Sequence, residues 1–80
     1  MMCRIKAKIE PGATNSERVA YIKTTSGQKA EVILDVSQAN HQSVVAAVIG
    51  RKDNDILIEL PRETSSGDWR IWVSENQLIR

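Results

Sequence analysis

Apolar and polar residues alternate strictly over residues 3–10, with Cys3, Ile5, Ala7 and Ile9 on one side and Arg4, Lys6, Lys8 and Glu10 on the other. A period of two sends successive side chains to opposite faces of an extended chain, so this run predicts a half-buried β-strand. Pro11-Gly12 ends it: proline presets φ at the first central position of a type II turn, and glycine supplies the positive φ of the second. Thr14 and Glu17 have the spacing of a capping box, but the stretch before Val19 is too short for more than one helical turn and reads as loop. Residues 18–24 and 29–36 flank the turn signal Ser26-Gly27 and predict an antiparallel hairpin. In its second strand Val32, Leu34 and Val36 share one face, while Glu31, Ile33 and Asp35 take the other.

Residues 40–50 carry two patterns at once. Asn40 and Gly50 stand where a helix would be capped, and Val44, Val45, Val48 and Ile49 fall on one helical face. Against this, the apolar residues are mostly β-branched, and the segment runs through the polar R-K-D-N-D into the β-rich I-L-I-E-L. Strand is the favoured reading and a helix over 40–50 the alternative. Pro61 closes the next strand, R-E-T-S-S-G-D is a polar loop, and W-R-I-W-V is a further strand. Three residues apart, Trp69 and Trp72 take opposite faces: Trp69, Ile71 and Val73 form the core side, and Trp72 points outward beside Arg70. The plainer alternative is that the Leu78-Ile79 segment covers Trp72. S-E-N-Q-L fits a single 3₁₀ turn between the last two strands.

Eighty residues without a composition shift make one domain, 1–80, with one core. There is no Phe, and Tyr21, Trp69 and Trp72 are the aromatic residues, so each is a large share of any core or contact surface. A formal charge of +1 provides no global field toward nucleic acid or an acidic membrane, although a local patch stays open. Cys3 is the single cysteine, which rules out an internal disulfide and fits a reducing cytoplasm. No apolar run reaches the length of a membrane span, and the early charges from Arg4 to Glu10 are unlike a signal peptide.

These elements, about five strands with short turns and a 3₁₀ turn near the C-terminus, resemble SH3-like small five-stranded antiparallel barrels. The all-β class is the expectation, and the resemblance implies no activity, because such barrels serve many unrelated roles. A second resemblance rests on I-E-P-G-A-T at 9–14, Q-A-N at 38–40 and E-T-S at 63–65, which occur in the order seen in the uncharacterised YggU family. It implies an α+β fold with a helix after Q-A-N, and here Ser37 replaces the usual glycine before that motif.

Few residues combine into chemistry. Cys3 and His41 would need hydrogen-bond proximity and an orienting third group to act as a thiolate–imidazole pair, and Cys3 sits in the apolar register of its strand. D-N-D at 53–55 begins like a calcium loop, but Ile58 and Thr64 stand where that loop needs glycine and glutamate, so it reads as a hairpin turn. The four glycines are too far apart for a phosphate cradle, and Glu59, Glu63, Asp68 and Glu75 read as surface charge. No catalytic residue, cofactor or metal ligand is predicted.

The favoured function is a non-enzymatic protein-interaction module or accessory subunit with Trp72 and Arg70 at its centre and Tyr21, Arg62 and Glu63 around them. An exposed strand edge makes a second copy of the chain an alternative partner. The other reading is single-stranded nucleic-acid binding, with Arg4, Lys6, Lys8 and Arg70 along the backbone and Trp72 or Tyr21 stacking a base. Interleaved acids favour a solvated strand face for those charges instead.

Overall fold

The computed structural model describes residues 2–79. Their strands are β1 (Met2–Lys6), β2 (Lys8–Pro11), β3 (Glu17–Lys23), β4 (Lys29–Asp35), β5 (Ser43–Lys52), β6 (Asp55–Glu59), β7 (Arg70–Ser74) and β8 (Leu78–Ile79), with 3₁₀ turns at Val36–Gln38 and Glu75–Gln77. The protein is all-β, as its alternating pattern predicts, with eight strands where about five are expected.

One cause of the larger number is Ala7. The alternating run bends there, and the Ala7 amide leaves the ladder to donate to the Gln42 carbonyl at 2.8 Å. What reads as one strand thereby serves two sheets: β1 pairs with β5 and β8, and β2 pairs with β3. The first sheet has the order β7-β6-β5-β1-β8 and the second the order β2-β3-β4, with all pairings antiparallel. Their inner faces meet in an aliphatic core: Ile5, Val44, Ala46, Ile56, Ile58, Ile71 and Val73 from the first, Ala20, Ile22, Val32 and Leu34 from the second.

The segment over 40–50 is a strand from Ser43 onward, which overturns the helical alternative. Asn40 caps no helix: its side-chain oxygen accepts from the Gln42 amide at 2.9 Å and the Ser43 hydroxyl at 2.8 Å, a local turn that launches β5. The β-branched run then pairs on both sides, with β1 and with β6.

Three other expectations change. Gly12 does not take the positive φ of a type II turn, since the positive-φ glycines of the described chain are Gly27 and Gly67. It is required for proximity instead, because a Cβ there would lie 2.6 Å from Glu17 Cβ. Val36 leaves the inner face, because the Asp35 carboxylate caps the 3₁₀ turn that begins at Val36 and the strand stops at Asp35. Trp69 is not core: β7 begins at Arg70, so Trp69 lies in the preceding bend, 51% exposed, with its carbonyl taking the Leu60 amide. In the loop before it, Thr64 is buried and bridges Val32, and Ser65 donates to the Glu31 carbonyl at 2.8 Å, so E-T-S clips the loop to the edge of β4.

Candidate interaction surface

The five-stranded sheet has one face in the core and one facing outward, and alternation assigns each residue to a side. With Ile56 and Ile58 inward on β6, Leu57 is outward; with Ile71 and Val73 inward on β7, Trp72 and Arg70 are outward. Trp72 stands directly across from Leu57, and Leu57 across from Gly50. Between Val48 and Gly50 the register shifts, so Ile49 is the extra residue of a β-bulge and is 43% exposed. Val45, Ala47 and Met2 continue the outward positions across β5 and β1, with Met2 opposite Ala47. An apolar band therefore crosses the sheet from Trp72 to Met2.

Charge borders this band. Arg70 Nε lies 3.1 Å from Glu59 Oε2 on the rung beside Trp72, while Arg51, across from the inward Ile56, lies 2.8 Å from Glu75 at the end of the sheet. Both pairs are solvent-exposed, so each is worth no more than about 1 kcal/mol to the fold. The Arg70–Glu59 pair alone is on the outward register, where it sets a polar border beside the apolar band, the arrangement of protein interfaces. Trp72 itself is 38% exposed, and its carbonyl is anchored by the Thr25 amide at 3.0 Å. The backbone is fixed while the indole faces solvent.

Of the residues predicted around Trp72, Arg70 alone is on the same outward register. Tyr21 lies on β3, across from Lys8 and Glu31, and lines a separate groove. Desolvation, followed by the carboxylates of Glu31 and Glu10, pushes its hydroxyl pKa up, so it is a neutral donor at physiological pH. Arg62 lends positive charge to Asp35, and Glu63 lies beside Gly67 in its own loop. The predicted basic set also divides: Lys6 and Lys8 line the Tyr21 groove, Arg4 donates to the buried Ser43 hydroxyl at 2.9 Å, and Arg70 is paired with Glu59.

Cys3 packs against the core, and burial pushes its thiol pKa up, away from the thiolate a nucleophile needs. His41 instead lines a pocket with Glu10 and Arg18. Among the described residues no group of three or more His, Cys, Asp or Glu side chains is placed to hold a metal ion. Asp53 and Asn54 form the two-residue β5–β6 turn, with Asp53 at φ 56° and the Asn54 carbonyl accepting from Glu75.

Leu57, Gly50, Ile49, Val45, Ala47 and Met2 are members of the surface that residue patterns did not single out as such. I-L-I already places Leu57 opposite its two neighbours, so that position was legible; the bulge that exposes Ile49 has no comparable signal. No family model, curated protein or solved structure gives a significant match to this chain.

Proposed function

We propose that the protein is a non-enzymatic protein-interaction module that binds its partner through the outward face of the five-stranded sheet, with Trp72 as anchor. The observation that carries this reading is the position of Trp72: an exposed indole at the end of an apolar band, next to Leu57 and the side-chain-free Gly50. Trp72 supplies apolar area at little conformational cost, Arg70 offers a directional charged contact, and Glu59 fixes the orientation of its guanidinium. Tryptophan anchors of this kind typically contribute about 2 kcal/mol or more. The five-stranded sheet, packed by its inner face on the three-stranded one, presents this face as a fixed platform.

Affinity capture from a nuclease-treated native lysate, with wild type and Trp72→Ala side by side, tests the proposal. A protein retained by the first and lost by the second is the expected result. Equal retention by both removes Trp72 from the binding surface.

A further inference from the structure

We infer that a second site, the groove over β2 and β3 next to β8, binds a segment of single-stranded nucleic acid, with one base on the Tyr21 ring and phosphates among Lys6, Lys23 and Lys29. The groove encloses about 550 Å³ and is lined by Lys6, Lys8, Tyr21, Lys23, Lys29 and Ile79 together with small and amide side chains, and by no carboxylate. Four cations in one place leave seven basic against ten acidic residues for the rest of the chain. A chain of nearly zero net charge thus carries a local positive field.

Three details separate this groove from an ordinary solvated face. Lys23 and Lys29 are direct cross-strand partners, and like charges in that position repel. Such a pair costs stability in the free protein and is relieved when an anion lies between. Lys6, Lys23 and Lys29 form no ion pair among the described residues, whereas Lys8 is 3.6 Å from Glu10. Finally, Glu31 and Glu10 act on the Tyr21 hydroxyl, so phosphates are disfavoured at that end and steered toward Lys23, Lys29 and Lys6.

The chemistry of the lining selects the ligand. Cations alone would suit inorganic phosphate or polyphosphate, but Ala7, Ile79 and the Tyr21 ring add an apolar floor. A ligand that satisfies both has phosphates and accessible flat faces, which single strands offer and duplexes bury in their own stack. The site uses neither Trp72 nor the outward sheet face, so it stands independently of the reading above.

Fluorescence anisotropy of labelled 12-nucleotide dT and rU strands, and of a duplex of equal length, tests this with the full chain. Three unpaired cations predict a salt slope of about −2 in a plot of log K against log salt. Tyr21→Leu, which keeps an apolar strand residue but removes the π face, is expected to weaken single-strand binding between about 5- and 100-fold. Lys23→Gln/Lys29→Gln, both exposed and needing no repacking, is expected to flatten the slope to about −0.7. Tyr21→Phe and Trp72→Ala are expected to bind as wild type. Equal affinity for duplex, full competition by polyphosphate with no loss in Tyr21→Leu, or no binding at low salt would each overturn the site.

Discussion

The Thr25 amide donates to the Trp72 carbonyl at 3.0 Å, so the tip of the β3–β4 hairpin closes on the outer edge of β7. Two sheets with separate ladders are tied at the residue that anchors the proposed surface. Thr25 precedes Ser26-Gly27 in a turn closed by the Gly27 amide on the Thr24 carbonyl, a position where proline fits. Thr25→Pro therefore removes the donor and little else. It is expected to lower stability by about 1 kcal/mol in urea unfolding and to speed amide exchange along β7. Unchanged stability would mean that the tie carries no energy.

Ile58 and Trp72 are expected to respond differently to truncation. Ile58 is fully buried between β5 and β7, so Ile58→Ala removes core volume and should cost about 2–5 kcal/mol. Trp72 packs across from Leu57 with one side in solvent. Trp72→Thr keeps a strand-forming residue and should cost about 1–2 kcal/mol. Equilibrium denaturation of the two variants checks the order; a reversal would place Trp72 in the core.

Asp53 holds the left-handed region at φ 56°, which side chains other than glycine, asparagine and aspartate resist. Asp53→Val should lose about 1–2 kcal/mol, while Asp53→Gly should remain within about 0.5 kcal/mol of wild type. Comparable losses in both would show that the aspartate side chain, rather than the backbone angle, matters at this turn.

Asp35 provides a pH dependence. The Ser37 hydroxyl and then the Ser37 amide hold its carboxyl below the ordinary value of 3.8, with Arg62 adding to the shift against partial desolvation. A folded-state pKa below the unfolded one makes the charged cap stabilising, fully so above the unfolded value, with the contribution lost as pH falls through the folded one. Carbon-13 NMR titration should place the Asp35 midpoint below 3.8, and Ser37→Ala should move it upward. A midpoint unmoved by that substitution would remove Ser37 as the cause.

Much of this architecture was legible in local pattern. The alternation from Cys3 to Ile9, the Ser26-Gly27 turn and the inward Ile56, Ile58, Ile71 and Val73 follow from a period of two and from turn chemistry. What escaped was decided by how the folded chain assembles rather than by the local pattern. The bend at Ala7 depends on Gln42, the exposure of Trp69 on where β7 begins, and the role of Gly12 on a Glu17 side chain five residues on. The sites show the same division. Alternation turned Trp72 and Arg70 outward, but only the assembled sheets set Tyr21 among Lys6, Lys23 and Lys29 and drew Arg4 into a bond with Ser43.

The most direct measurement for the interaction surface is calorimetric titration of the captured protein with wild type, Trp72→Ala, and Lys23→Gln/Lys29→Gln. A Trp72 anchor worth about 2 kcal/mol predicts roughly 30-fold weaker binding for Trp72→Ala. Wild-type affinity is predicted for the lysine variant, because the two surfaces are separate. Wild-type affinity in Trp72→Ala, with its fold intact, would contradict the account.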